Sequence, residues 1–337
     1  MKSQTWILLG TAIVLLCVLT YALIVVTMSK RQTFPIDTVT LWVDGADAGW
    51  RDRVQEVFKS AKLAHPRCGL VHNELREPEP VGPATKDELY YGARCVAKFM
   101  PWVRTYYVLT QRPHKPWWWP ASGKLGNVRM RLVHHDEIFG NHADALPVFN
   151  SNIIQAHIHN IPGLAEHFIL FDDDFFVGRP LTRDNFFTPD GKRAVNSSYE
   201  MNPLTAPPGN WRQVCMNTQK LARQFLLVNS TAPVMVPDHV GYRLLKSAHK
   251  HVMENVFKDQ VAALHSFRSS TDFVPHYLTN VFMVGAGLTS PLPKSYKSVF
   301  VGVLFKKRMD KWGVPHEFCI NDRMQPEDVK YLEDLIQ

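Results

Sequence analysis

Cysteine is scarce, five in 337 residues, too few for a small domain held together by disulfides. Cys17 lies in an apolar run, and Cys68, Cys95, Cys215 and Cys319 stand far apart with no C-x-x-C pair, so a zinc module is not expected. Those four permit up to two disulfides in an oxidising compartment and equally permit buried thiols. Blocks of basic charge are missing too. No Lys/Arg run exceeds Lys306-Lys307-Arg308, and neither zinc-finger nor basic-zipper spacing occurs, which argues against nucleic acid as a partner. Internal repeats and low-complexity segments are absent, which removes solenoids and disordered tracts.

What remains is a chain with 45% hydrophobic and 20% charged residues, enough to bury a large core, and a net charge of +7. That charge suits anionic partners: nucleotides, phosphosugars or acidic lipid surfaces. Trp6 to Met28 carries no charged residue, and a helix of that length spans about 34 Å at 1.5 Å per residue, so residues 1–32 are expected to form a short tail and a transmembrane anchor. No small-residue cleavage site favours a removable signal. Lys2 on one side and Lys30 and Arg31 on the other leave orientation unset by charge. Two sequons, at Asn196 and Asn229, fit a type II protein whose residues 33–337 lie in the Golgi or another secretory lumen.

Beyond the anchor the pattern alternates. TVTLWV (Thr38 to Val43) is β-branched and apolar and breaks at Asp44-Gly45. A polar amphipathic stretch runs to about Leu63. Thr85-Lys86-Asp87-Glu88 has the form of a capping box before apolar residues at helical spacing, and Pro101 stops that run. TYYVLT (Thr105 to Thr110), VRMRLVHH (Val128 to His135) and HFILF (His167 to Phe171) read as strands, with a helix over Asn150 to Asn160 between the last two. Further helices are expected over Val240 to Phe257, Asp259 to Ser266 and Phe273 to Val284, and after Pro326. Strands alternating with helices predict an α/β fold, a Rossmann-like, parallel-rich sheet with helices on both faces, in one compact domain.

Asp172-Asp173-Asp174 follows HFILF directly, and ligands of open α/β sheets bind at the carboxyl ends of strands. Adjacent carboxylates there suit Mg²⁺ or Mn²⁺ bridging to substrate phosphates. Asp44 holds the equivalent place after the first strand, where Gly45 lets a ligand approach the backbone, although an Asp-Gly pair is also an ordinary turn. His239 in PDHVGYR, placed just before an expected helix, can move a proton or hydrogen-bond an anion, and Arg268 in HSFRSSTD can fork onto phosphate oxygens.

These segments resemble the Stealth family of hexose-1-phosphate transferases in four blocks: Ile36 to Asp47, Lys86 to Leu181, Asp238 to Leu278, and Glu317 to Asp322. The resemblance implies a nucleotide-sugar-binding turn at Trp42, Val43, Asp44 and Gly45, and a metal-holding, catalytic pair at Asp173 and Asp174. It further implies a catalytic histidine at His239, a phosphate-binding arginine at Arg268, and a donor-binding pair at Asn321 and Asp322. Its expected partners are a nucleotide-diphosphate sugar and a glycan or glycoprotein acceptor, with a homodimer left open. Two positions depart from the family pattern: Ala84 replaces an arginine and Gln155 a glutamate. A metal-dependent glycosyltransferase and a catalytically weak Stealth-like binding subunit are the alternatives.

Overall fold

The computed structural model describes residues 34–60, 87–195, 210–227, 234, 236–292, 295–301, 309–311, 313–320 and 326–337. Among these no helix is long and apolar enough to cross a membrane. The expected anchor, both sequons, Cys68, Ala84, Asn321 and Asp322 lie outside the described residues.

Four strands form the parallel centre of the fold: β1 (Ile36–Leu41), β2 (Thr105–Thr110), β4 (Val128–His134) and β5 (His167–Phe171). Two edge strands, β3 (Lys124–Leu125) and β8 (Tyr242–Leu245), run antiparallel to them, giving the order β3-β4-β2-β1-β5-β8. Every residue of β2 is buried. Because successive side chains of a strand point to opposite faces, both faces of the sheet are covered. In β1 Thr38 pairs with Tyr106 of β2 and with Ile169 of β5. After β1 the chain builds outward through β2 and β4, then returns to lay β5 on the other flank of β1. The strand order therefore reverses between β1 and β5, the position at whose carboxyl ends open α/β sheets bind their ligands.

Two smaller sheets complete the molecule. β6 (Phe175–Val177) lies antiparallel to β11 (Glu317–Ile320), which runs parallel to β10 (Ser298–Val301), and β7 (Arg193–Val195) pairs with β9 (Thr289–Pro291).

The helices are α1 (Ala48–Ser60), α2 (Glu88–Phe99), α3 (Asp136–Phe139), α4 (Ser151–His157), α5 (Asn210–Phe225), α6 (Lys246–His251), α7 (Lys258–Ala262), α8 (Pro275–Gly285) and α9 (Pro326–Ile336). The N-cap of α2 is Asp87, whose carboxylate accepts from Tyr90 N at 3.0 Å and from the indoles of Trp117 and Trp118, each at 2.9 Å. The N-cap therefore falls at Asp87, and Thr85, from which a capping box is expected, lies outside the described residues. A Cβ on Gly92 of α2 would meet the carbonyl oxygen of Phe175 at 3.1 Å, so the helix rests on the backbone that follows the acidic turn.

The expected helix over Val240 to Phe257 is corrected at its start. Tyr242–Leu245 is the edge strand β8, and helix begins only at Lys246, because β5 offers an open ladder on that side. Cys95, Cys215 and Cys319 are buried free thiols, so the described residues contain no disulfide.

Candidate active site at the carboxyl edge of the sheet

Asp172, Asp173 and Asp174 form the turn between β5 and β6, closed by Phe175 N donating to Asp172 O at 3.3 Å. Asp174 is buried, and its two neighbours are half-buried. Strand β11 fixes this turn from the small sheet: Ile320 N donates to Asp174 O at 3.1 Å, and the Cys319 thiol donates to Asp174 Oδ2, also at 3.1 Å. Burial and the Asp174 charge push the Cys319 thiol far above its ordinary range, which keeps its proton on sulfur as the donor.

His239 enters from the loop before β8, correcting its expected place before a helix. Its Nδ1 is joined to the Tyr242 hydroxyl at 2.7 Å, and its ring stands edge-on to Phe175 with centroids 4.8 Å apart. Burial and nearby carboxylates hold the Tyr242 phenol well above its usual value, so it keeps its proton. The Tyr242 hydroxyl thus fixes the orientation of the imidazole through Nδ1. One ligand atom from each of Asp174, His239 and Cys319 lies within 4.8 Å of the others.

Their proximity makes them candidate ligands of one cation, with the Cys319 Sγ–Asp174 Oδ2 pair joined by a hydrogen bond of 3.1 Å in this structure. Of the expected metal pair Asp173 and Asp174, Asp174 belongs to this cluster, where an imidazole and a thiol stand beside its carboxylate, and Asp173 is its neighbour in the same turn. Asp173 also adds its charge to the surroundings of Tyr106, whose hydroxyl accepts from Thr40 at 2.8 Å near the end of β1. Burial pushes the Asp172 carboxyl up, and His239 and Arg268 pull it back down, which places both side chains within electrostatic reach of the turn.

Arg268 donates from Nη2 to Ser151 Oγ at 2.9 Å, at the start of α4. A separate apolar cluster positions its loop. Phe267 stacks on Phe149 with centroids 5.1 Å apart, Trp50 of α1 packs against Phe149, and Val43 joins the cluster. Buried Asp272 ties the same loop by accepting from Asn150 Nδ2 at 2.9 Å, Asn152 Nδ2 at 3.2 Å and Ser269 N at 3.0 Å. Val43 therefore couples the first turn to the Arg268 loop. Trp42 N donates to Leu109 O at 3.0 Å, Asp44 N donates to His114 Nδ1 at 3.2 Å, and Asp44 Oδ1 accepts from Ala46 N at 3.0 Å. No atom lies within 4 Å of where a Gly45 Cβ would stand.

Sequence reasoning gave no role to Tyr242, His276 or Cys319. Tyr242 was hidden in a segment read as helix, and Cys319 had been weighed only as a disulfide partner or an inert thiol. Gln155, singled out as a departure, is buried, and its Oε1 is bonded to His276 Nδ1 at 2.8 Å. The His276 ring stacks on Tyr242 at 3.7 Å, so Gln155 reaches His239 through two intervening rings.

Residues 84–195 match Stealth protein CR2, conserved region 2. A capsular polysaccharide phosphotransferase LcbA of Neisseria meningitidis is 39% identical over 303 residues, 86% of this chain and 78% of that protein. Capsular polysaccharide phosphotransferase fcs1 of Haemophilus influenzae is 30% identical over 307 residues, again 86% of this chain and 78% of that one. Among solved structures, galactosyltransferase LgtC in complex with donor and acceptor sugar analogs aligns at a TM-score of 0.44 and 10% identity, over 89% of this chain and 95% of that one, too loose a likeness to carry the assignment. By the extent of its identity to these phosphotransferases the chain belongs to the Stealth family, and it is a transferase.

Proposed function

We propose that this protein transfers a sugar 1-phosphate from a nucleotide-diphosphate sugar to a hydroxyl of a glycan, releasing a nucleoside monophosphate. One observation carries the reading: the turn Trp42 to Gly45, the turn Asp172 to Asp174, His239 and the Arg268 loop converge on the carboxyl ends of β1 and β5, where the strand order reverses. The donor would lie across those ends, its base and ribose over the first turn and its diphosphate toward Asp174. Asn321 and Asp322, which follow β11 in the sequence, would belong to the donor-binding residues. A divalent cation, Mg²⁺ or Mn²⁺, would be held at Asp173 and Asp174 and would supply charge neutralisation at the diphosphate.

Arg268 would clamp the oxygens of the transferring phosphoryl group, since its planar fork matches them two at a time. His239, oriented through Nδ1, would present Nε2 to the acceptor hydroxyl or to the same oxygens. The residues preceding Thr33 would anchor the enzyme in a secretory membrane with this domain on the lumenal side.

The bond that breaks distinguishes this reaction from sugar transfer. Attack at the phosphorus next to the sugar leaves a phosphodiester, whereas attack at the anomeric carbon sends both phosphates away with the nucleoside. Donor carrying ³²P in the sugar-linked phosphate is expected to label the acceptor. Label recovered wholly as nucleoside diphosphate would identify a glycosyltransferase instead.

A further inference from the structure

Beside Tyr242 a cavity opens between β7, β8 and α8, walled by Arg193, Asp238, Tyr242, Arg243, His276 and Asn280. Two guanidinium groups face it, and their surroundings differ. Arg243 is neutralised: it donates to Glu317 Oε2 at 2.5 Å, to Tyr296 Oη at 3.0 Å and to Gly241 O at 2.7 Å. Arg193 is 6% exposed and donates from Nη1 to the neutral Asn280 Oδ1, while its Nε has no hydrogen-bond partner. Among the described residues no carboxylate forms an ion pair with it, and the charge that acts on it is that of Arg243. The nearest wall carboxyl, Asp238, is pushed toward its protonated form by burial and accepts from Ser298 Oγ at 3.1 Å.

A buried cation lacking a counter-ion costs several kcal/mol. Burial and Arg243 together push Arg193 down to about 9. The Asn280 amide nitrogen, its oxygen already used by Arg193, is a second donor on the same wall. We infer that this cavity is an anion site in which the Arg193 fork and the Asn280 amide bind an oxyanion, a phosphate or a carboxylate group. The occupant would stand against Tyr242, whose hydroxyl holds His239, so it would be sensed at the candidate active site. This site does not depend on the proposed transfer reaction.

The test is thermal unfolding of the full chain in a nonionic detergent, titrated with inorganic phosphate while chloride keeps ionic strength constant. At ten times the dissociation constant, phosphate is expected to raise the melting temperature of the wild type by about 2–5 °C. Arg193→Gln should abolish the shift while melting no lower than wild type without phosphate, because an unpaired buried charge has gone. Arg193→Lys keeps the charge but loses the fork, and should need about tenfold more phosphate. Arg268→Gln should retain the shift, which separates this cavity from the acidic turn. Competition then identifies the source: displacement of phosphate by a nucleoside monophosphate marks a donor-derived group, and displacement by a hexuronate marks an acidic acceptor. A wild type indifferent to phosphate, or a shift that survives in Arg193→Gln and vanishes in Arg268→Gln, would overturn the proposal.

Discussion

At the scale of single residues, a thiol decides how the acidic turn is organised. Cys319 lies opposite Phe175 in the β11–β6 ladder and donates a hydrogen bond to Asp174, so the buried member of the three aspartates is stabilised by a donor and not left to repel its neighbours. Asp174→Asn retains a carbonyl oxygen for that thiol and removes only the charge. The variant should therefore melt near wild type yet lose about 10²-fold or more in turnover, the scale of a missing electrostatic stabiliser, and added Mn²⁺ should no longer stimulate it. Full wild-type activity in excess chelator would remove the cation from the reading. Gln155 belongs to the same chain of contacts at one remove: its amide bonds buried His276, which burial holds well below its ordinary value and hence neutral. A neutral partner for a neutral ring is a consistent local solution, which is why this departure from the family pattern leaves the turn, His239 and Arg268 in place.

At the scale of elements, β8 does what no other strand does. Its hydrogen bonds extend the sheet beside β5, and its first residue, Tyr242, holds His239 of the preceding loop. Gly241 at its entry has no room for a side chain: a Cβ would stand 2.5 Å from Glu317 Oε1 and 2.6 Å from Phe171 Cε1. Gly241→Ala must shift either the Arg243–Glu317 pair or the strand itself. We expect a loss of about 1–3 kcal/mol in unfolding free energy together with a drop in turnover, read by denaturant melts and a rate assay. Unchanged stability and rate would show that β8 has slack the packing does not reveal.

The same element marks where sequence reading stopped. β1, β2 and β5 were legible because each is a short β-branched or aromatic run bounded by turn residues, and all are buried on both faces. Tyr242 to Leu245 merges without a break into Lys246 to His251, and only the open edge of β5 makes the first four residues a strand. Asp174, His239 and Cys319 are brought together by two sheets that no local spacing encodes. The absence of a C-x-x-C pair spoke only to ligands close in sequence.

At the scale of the molecule, the carboxyl edge of β1 and β5 depends on a core that also stores neutral histidines, and this sets its response to acid. Burial pushes His135 down to about 4 and His249 down to about 3. His249 is bonded at Nδ1 to the Thr279 hydroxyl and at Nε2 to the Gln155 carbonyl, linking α6, α8 and α4. For a group whose folded value is depressed below the unfolded ~6.5, the unfolded chain binds the extra proton first, so stability is lost as pH falls below about 6.5. Each such histidine contributes about 1.4 kcal/mol per pH unit until its folded value is reached. Asp172, with its carboxyl raised by burial, works in the opposite sense, adding stability as pH falls through its folded value toward the ordinary carboxylate range. The buried carboxyls of Asp87, Asp238 and Asp272 act with it, and the lowered histidines, which besides these two include His134, His157, His159 and His276, outnumber them, so the net trend is a loss of stability as pH falls from 6.5. The melting temperature should therefore fall by several degrees between pH 7 and pH 5, and His249→Gln, which keeps an amide donor and cannot titrate, should flatten that decline. A melting temperature level across this interval would mean that these rings take up their protons without the fold opening, and the coupling between α4, α6 and α8 would have to be sought elsewhere.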